Sequence, residues 1–126
     1  MKKRQSGVLM HISSLPGKYG IGSFGQAAYD FVDFLVRTKQ RYWQILPLGT
    51  TSYGDSPYQS FSAFAGNTHF IDFDLLIEQG LLDASDVEGV DFGQDPTEVD
   101  YEKIFEQRRP LLEKAVQAFI ENGDLD

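Results

Sequence analysis

The amino-acid sequence predicts an α/β fold organised around one βαβ unit. Two short apolar runs, at residues 7–12 and 41–46, are bounded by glycine, serine or proline and suit buried strands. Between them, residues 26–38 carry apolar side chains at spacings of three and four, as in an amphipathic helix. A strand, a helix and a second strand joined in this way form a parallel, right-handed crossover, which is the unit of α/β barrels and of doubly wound sheets.

Each part of this unit has its own signal. Residues 13–25 contain one proline and four glycines, so a loop is expected there. The helix at 26–38 is expected to point Asp30, Asp33 and Arg37 to solvent. Its predicted buried face comprises Ala28, Phe31, Val32, Leu35 and Val36. Pro47 ends the second strand.

The second half of the chain is expected to be mainly helical. Residues 69–73 have an extended pattern, and residues 74–80 suit a short helix capped by Asp74 and ended by Gly80. Residues 83–100 are acidic and predicted to be irregular, so the expected division lies between a part at 1–82 and an acidic linker with helices at 83–126. A long helix then begins at Val99 or Asp100, and Pro110 should kink it or start a second segment. Its predicted apolar face comprises Tyr101, Ile104, Phe105, Leu111, Leu112, Ala115, Val116 and Phe119.

Composition excludes several classes of function. The net charge is −8, and residues 51–126 carry four Lys and Arg against seventeen Asp and Glu, which disfavours nucleic acid as a partner. No cysteine is present for disulfides, thiolate catalysis or metal ligation. No run of eighteen apolar residues is long enough to span a membrane, and the basic N-terminus lacks the apolar segment of a signal peptide. We therefore expect a cytoplasmic protein.

Several motifs give weak signals. Residues 20–25 have the spacing G-x-G-x-x-G, but the run begins well after the strand, so a dinucleotide site is disfavoured. His11, at the end of the first strand, would face a barrel mouth, although a structural role fits it equally well. Asp72 and Asp74 share one face of a strand, yet capping is the better use for Asp74, and no catalytic carboxylate pair is convincing. The spacing of histidines and carboxylates indicates no metal site.

The loop between residues 47 and 68 gives the strongest functional signal. It is long, rich in Gly, Ser and Thr, and contains aromatic residues that are poor formers of disorder. Its central segment, residues 53–61, combines aromatic rings with polar side chains, as a sugar site requires for the C–H face and the hydroxyl rim of a glucose ring. Tyr58 and Gln59 are predicted to bind ligand, whereas Phe61 and Phe64 suit packing of the loop itself.

Three motifs in this region also resemble a known family. They are SGVLMHISSLPG at residues 6–17, YWQILPLG at 42–49 and SPYQSFSAFAGN at 56–67. In this order they are similar to the N-terminal portion of the 4-α-glucanotransferases, the amylomaltase or disproportionating enzyme family. The resemblance is strong over residues 4–82 and weaker beyond. Thr50, Thr51 and Ser52 depart from the proline and glycine that relatives often have there.

The resemblance implies the N-terminal part of a (β/α)8 TIM barrel: the first βαβ unit, a long substrate loop and C-terminal helices. It implies transfer of α-1,4-glucan segments by a retaining reaction through a covalent glucosyl-aspartate, with a glutamate acid/base and a second aspartate. These three carboxylates lie on later strands of the family, so no catalytic residue is assigned here. No cofactor is implied, and the expected partners are maltooligosaccharides and the remainder of the parent chain.

The resemblance also assigns binding roles. Tyr58 matches the tyrosine that stacks near the scissile subsite, and Asp55, Ser56 and Gln59 would flank the same sugar, with His11 nearby at the strand end. Tyr53 matches an aromatic of a second glucan site in some relatives. Tyr101 is its expected partner there, although a core aromatic at a helix start fits Tyr101 equally well.

Two rival functions follow from the same sequence. A free-standing carbohydrate-binding module would need a self-contained core. These strands are instead expected to require other elements packed on both faces of their sheet. An NAD-binding domain would use the glycine run at residues 20–25, in the wrong context.

Overall fold

The computed structural model describes residues 3–49 and 65–122. The chain divides into two compact units by its contacts. The first unit comprises Met1–Gly17 and Ile21–Ile71, and the second comprises Lys18–Gly20 and Asp72–Asp126. The predicted division at residue 82 stays a prediction.

The first unit contains the predicted βαβ arrangement. Strand β1 spans Gly7–Leu9, helix α1 spans Gln26–Arg37, and strand β2 spans Tyr42–Gln44. The two strands pair in parallel, with Gly7 opposite Tyr42 and Leu9 opposite Gln44. Both strands are shorter than predicted. After β1 the chain turns into a 3₁₀ helix at Ile12–Ser14, whose first residue is almost fully buried.

Helix α1 forms where its periodicity predicts it, but only part of its apolar face is covered. Ala28 and Leu35 are buried. The ring of Phe31 packs edge-on against that of Trp43, with 4.8 Å between the ring centres. In contrast, Val32 is 45% and Val36 is 69% exposed. Their predicted burial is therefore wrong for the described residues, because no described element of the first unit covers this side of the helix.

The chain between β2 and the second unit differs from its predicted form. The expected extended run at residues 69–73 is wrong, since Thr68–Phe70 forms a 3₁₀ helix. A local hydrogen bond accounts for the turn: the side-chain oxygen of Asn67 accepts the His69 N–H at 2.9 Å. Phe70 is then buried, and its carbonyl accepts the Phe24 N–H at 2.9 Å.

The second unit contains three helices among its described residues. Helix α2 spans Phe73–Glu78, helix α3 spans Ala84–Val87 and helix α4 spans Tyr101–Asn122. Helix α3 lies within the stretch predicted to be irregular. It forms because Asp83 and Asp86 make a reciprocal capping box, which satisfies backbone N–H groups at the helix start. None of the helices in residues 3–49 and 65–122 is long and apolar enough to cross a membrane.

The N-cap of α2 lies two residues earlier than predicted. Asp72, not Asp74, is the N-cap, and its carboxylate accepts the Leu75 N–H at 3.1 Å. The helix begins at Phe73, whose side chain is fully buried and so anchors the first turn. Capping geometry places the acceptor immediately before that turn, which is the position of Asp72.

This assignment predicts the result of replacing Asp72. Asp72→Ala should lower the free energy of unfolding by about 1–2 kcal/mol, since the Leu75 N–H loses its acceptor. Asp72→Asn is the matched control because asparagine keeps a capping oxygen, and its loss should be clearly smaller. Urea unfolding of the three proteins measures both values. An equal loss in both variants would assign the effect to the charge of Asp72 rather than to capping.

Helix α4 is continuous and presents a narrower buried face than predicted. It runs through Pro110 as one helix, so the second segment that was one of the two expectations does not form, and the expected kink stays a prediction. Pro110 and Glu106 are both exposed, so water can replace the hydrogen bond that proline cannot donate. The buried residues of the helix are Ile104, Arg108 and Ala115. The predicted burial is wrong for Phe105, Val116 and Phe119, which are 59%, 57% and 43% exposed.

Candidate functional site

The carboxyl ends of β1 and β2 lie side by side in the first unit. The ladder extends past β1 because Met10 N–H donates to the Gln44 carbonyl at 3.0 Å. The Trp43 indole N–H donates to the Met10 carbonyl at 2.7 Å and ties the two chain segments together. In open and closed parallel sheets, ligands bind beyond this edge of the strands. The candidate site is therefore the edge formed by residues 10–11 and 44–49.

His11 lies at this edge and is held by both neighbouring segments. Its Nδ1 accepts a hydrogen bond from the Leu46 N–H at 3.3 Å. Its ring packs edge-on against the Phe70 ring, with 5.3 Å between the ring centres. Burial lowers the pKa of His11 below the ordinary value of 6.5, so the ring is neutral at pH 7. A neutral ring that accepts at Nδ1 carries its proton on Nε2. The predicted contact between His11 and ligand therefore has to use Nε2 as a donor, and it stays a prediction.

The segment beyond β2 returns to this edge through a short antiparallel contact. Gly49 pairs with Gly66, and Asn67 N–H donates to the Leu48 carbonyl at 2.8 Å. We call residues 46–49 and 65–67 the stem, because they flank residues 50–64. The two ends of the predicted sugar-binding loop are thus brought together at the carboxyl end of β2.

Most of the predicted binding residues lie outside the described residues. These are Tyr53, Asp55, Ser56, Tyr58 and Gln59, which belong to residues 50–64. Tyr101 is described: it is half-buried and begins α4 in the second unit. The predicted pairing of Tyr53 with Tyr101 in a second glucan site stays a prediction.

A polar cluster in the second unit has no counterpart in the sequence analysis. The Tyr19 hydroxyl donates to one oxygen of Asp74 at 2.5 Å, and the Lys18 ammonium pairs with the other at 3.0 Å. Desolvation raises the pKa of Asp74, but the hydrogen bonds from Tyr19 and Lys18 outweigh it and the pKa falls below 3.8. The partners lie 55 positions apart, so no local pattern could indicate the cluster.

This cluster argues against Asp72 and Asp74 as a catalytic pair. Asp74 is occupied by Tyr19 and Lys18, while Asp72 caps α2. The three residues of the cluster line a cleft of about 400 Å³, whose other lining residues are apolar. Its lining comprises Lys18, Tyr19, Asp74, Ile77, Ala84, Val87, Val90 and Phe92.

The glycine run at residues 20–25 is explained by packing. Gly20 has φ of +83°, a left-handed conformation that favours glycine. A Cβ on Gly22 would lie 1.9 Å from the Ile12 carbonyl oxygen, and Gly25 is the N-cap of α1. Among the residues that the structure describes, no group of three His, Asp or Glu is placed to hold a metal ion.

Comparison with known proteins adds independent information about this chain. The model of glycoside hydrolase family 77, described as 4-alpha-glucanotransferase, matches residues 10–125. The chain is 84% identical over 125 residues to a 4-alpha-glucanotransferase of Streptococcus pneumoniae, which covers 99% of this chain and 25% of that protein. It is 59% identical over 115 residues to a 4-alpha-glucanotransferase of Clostridium butyricum, covering 91% and 24% of the two chains.

A solved structure agrees with these relatives. The fold is similar to that of an amylomaltase from Streptococcus agalactiae in complex with acarbose, with a TM-score of 0.93 and 66% sequence identity. The match covers 95% of this chain and 24% of that protein. The chain therefore spans about a quarter of the length of the relatives that it matches.

Proposed function

Because the chain belongs to the 4-alpha-glucanotransferase family, we propose that it supplies the first barrel strands and part of the sugar-binding rim of such an enzyme. The enzyme would transfer α-1,4-glucan segments between maltooligosaccharides. The observation that carries the proposal is the 84% identity to a 4-alpha-glucanotransferase along almost the whole chain. The cytoplasmic location predicted from the sequence stays a prediction.

The geometry of the first unit is consistent with a role in substrate binding. The stem holds both ends of residues 50–64 at the carboxyl edge of the parallel strands, where α/β folds bind ligands. In this proposal Tyr58 stacks on a glucose ring, and Asp55, Ser56 and Gln59 bind its hydroxyls. His11 offers its Nε2–H to the same ligand. Tyr53 and Tyr101 belong to a second glucan site. The related amylomaltase from Streptococcus agalactiae was solved with acarbose, which supports a carbohydrate at such a site.

Catalysis is proposed to depend on carboxylates outside this chain. The reaction would retain configuration, with an aspartate nucleophile, a glutamate acid/base and a second aspartate. Retaining chemistry needs two carboxyl groups about 5–5.5 Å apart across the scissile bond. In the described residues, Asp72 and Asp74 are committed to a helix cap and to the Tyr19–Lys18 cluster, which leaves neither for that role.

The exposed apolar surfaces favour a chain that packs against the rest of a longer protein over a free-standing carbohydrate-binding module. On α1, Tyr29 is 63% and Val36 is 69% exposed, and on α4 Phe105 is 59% exposed. Patches of this kind mark surfaces that other protein normally covers. The remaining part of the parent protein is the proposed partner, since the relatives are about four times as long.

The test compares the complete protein that carries this chain with the isolated 126 residues. With maltotriose, the complete protein should form glucose and longer maltooligosaccharides, separated by chromatography. The isolated chain should form neither, because its catalytic partners are missing. Product from the isolated chain, or none from the complete protein, would contradict the proposal. A rise in the melting temperature of the isolated chain with maltooligosaccharide, without turnover, would favour the binding module instead.

A further inference from the structure

The segment of the second unit that carries α3 has little apolar burial of its own. Leu82 is buried at its start and Phe92 at its end, with 4% and 5% of their surfaces exposed. Residues 83–91 lie between these two anchors, and none of their side chains is buried. A segment with so few buried apolar contacts belongs to the least stable parts of a fold. Its attachment therefore depends largely on polar contacts.

Two lysines of α4 supply such contacts. The Lys114 ammonium pairs with Asp86, and the Lys103 ammonium pairs with Asp91. The two lysines are about three helical turns apart, so they lie on the same face of α4. The later aspartate pairs with the earlier lysine, and the segment therefore runs antiparallel to the helix. We call residues 83–91 the strap.

Both aspartates are also bonded within their own part of the chain. The other oxygen of Asp86 accepts the Asp83 N–H at 2.9 Å in the capping box of α3, and that of Asp91 accepts the Gly93 N–H at 3.0 Å. Hydrogen bonds from the lysines lower the pKa of both aspartates, so the pairs are charged at neutral pH. Each carboxylate therefore joins α4 to the backbone at one end of the strap.

Phe92 fixes the chain immediately after the strap by packing. Its ring lies edge-on to the Tyr19 ring, with 5.7 Å between the ring centres, and its centre is 6.0 Å from that of Phe73. The backbone of Phe92 also lies against Gly20, where a Cβ would be 2.3 Å from the Phe92 carbonyl oxygen. This end is held by buried rings, whereas the strap itself is held by exposed and half-buried charges.

The strap forms one wall of the cleft in the second unit. Ala84, Val87 and Val90 line the cleft from the strap, and Asp74 and Ile77 line it from α2. Separation of the strap from α4 would therefore change the width of the cleft.

We propose that the strap opens and closes as a unit with Phe92 as its fixed end, and that the two lysine–aspartate pairs determine how often the cleft is open. The inference does not depend on the proposed function. Exposed ion pairs are screened by salt, so the opening depends on ionic strength. Such pairs add little to global stability, but a segment with a small free energy of opening responds to them directly.

Hydrogen exchange in the complete protein that carries this chain tests the proposal. Peptides covering residues 83–91 are followed at neutral pH in wild type, Lys103→Gln, Lys114→Gln and the double variant. At low salt, the strap should exchange about 1.5- to fivefold faster in each single variant, the effect of one lost ion pair, and the two factors should multiply. High salt should speed exchange in wild type toward that in the double variant, whose own exchange should not change.

Two other variants of α4 are matched controls. Arg109→Gln removes a cation whose partner, Glu113, lies on the same helix, so exchange of the strap should not change. Lys114→Arg keeps the charge and should exchange as wild type does. Unchanged exchange of the strap in the double variant would overturn the proposal. An equal acceleration in Arg109→Gln, or in peptides from α2, would also overturn it, because the effect would then be a general loss of stability.

A second measurement follows the width of the cleft. N-ethylmaleimide labels a cysteine introduced by Val90→Cys, and its labelling should be faster at high salt and when Lys103→Gln and Lys114→Gln are added. Ser85→Cys is the control, because Ser85 is exposed and its labelling should not depend on opening. Labelling of Val90→Cys that does not follow exchange of the strap would overturn the assigned link between the strap and the cleft.

Discussion

Replacing Arg108 with alanine is expected to destabilise the second unit by about 3–5 kcal/mol, the cost of removing one partner from a buried charged group. Arg108 has 0% of its surface exposed, and its guanidinium carbon lies 4.1 Å from the centre of the Phe73 ring. Its Nη1 donates to the Tyr19 carbonyl at 3.4 Å. A loss of this size is a large share of the total stability of a domain.

The charge of Arg108 is retained despite its burial. Desolvation lowers its pKa to about 10, against the opposing attraction of Asp72 and Tyr19, so the guanidinium is charged at neutral pH. Arg108→Ala removes that charge from beside Asp72 and leaves a cavity against Phe73. Both effects lower the free energy of unfolding.

Two variants separate these effects. Arg108→Met keeps most of the side-chain volume without the charge, so its loss relative to Arg108→Ala measures the packing contribution. Arg109→Ala is the neighbouring control: Arg109 is 68% exposed and pairs with Glu113 on the surface, so about 0–0.5 kcal/mol is expected. Urea unfolding of the protein gives all three values. A result for Arg108→Ala within about 1 kcal/mol of Arg109→Ala would contradict the assigned role.

Gly22→Ala is expected to prevent the first unit from reaching its folded backbone, at a cost of about 3 kcal/mol or more. A Cβ there would lie 1.9 Å from the Ile12 carbonyl oxygen and 2.8 Å from the backbone of Leu15. The Gly22 N–H also donates to the Ser13 carbonyl at 3.1 Å, so the close approach cannot relax without breaking this contact. The affected turn follows β1 directly, and the edge that carries His11 would move with it.

Two other glycines serve as controls for this substitution. Gly66→Ala should change the free energy of unfolding by no more than about 0.5 kcal/mol, because none of the described residues lies within 4 Å of its added Cβ. Gly80 also has open space but a φ of +76°, so Gly80→Ala should cost about 1–2 kcal/mol from backbone strain alone. Thermal unfolding and soluble yield measure the series. A loss in Gly22→Ala no larger than in Gly80→Ala would show that strain, not steric overlap, limits this position.

The sequence predicted the elements whose signals are local. The period of α1 and the two apolar runs are properties of neighbouring residues, and the parallel βαβ unit is confirmed. The family was also predicted from three ordered motifs and is confirmed by the match over residues 10–125. Predictions that depend on what packs against an element were less successful. Val36 and Phe105 have helical spacing that suits burial, yet both are exposed because spacing does not reveal which side of a helix is covered.

The sequence also did not predict the positions of element ends to within one or two residues. Asp72 and Asp74 are equally good capping residues by type, and only the burial of Phe73 decides that the helix begins after Asp72. Residues 69–73 were predicted to be extended. Instead, the side-chain oxygen of Asn67 accepts the His69 N–H, and a 3₁₀ helix forms there. In both cases, one hydrogen bond or one buried ring outweighed propensity.

By itself the sequence determined the family and the strand–helix–strand order, because the signals for both lie in contiguous residues. Only the tertiary structure decided that His11 holds Leu46, that Tyr19 and Lys18 occupy Asp74, and that Arg108 is buried under Phe73. These partners are separated by up to 56 positions in the chain. Their pairing depends on how the elements pack, and periodicity within one element carries no information about that packing.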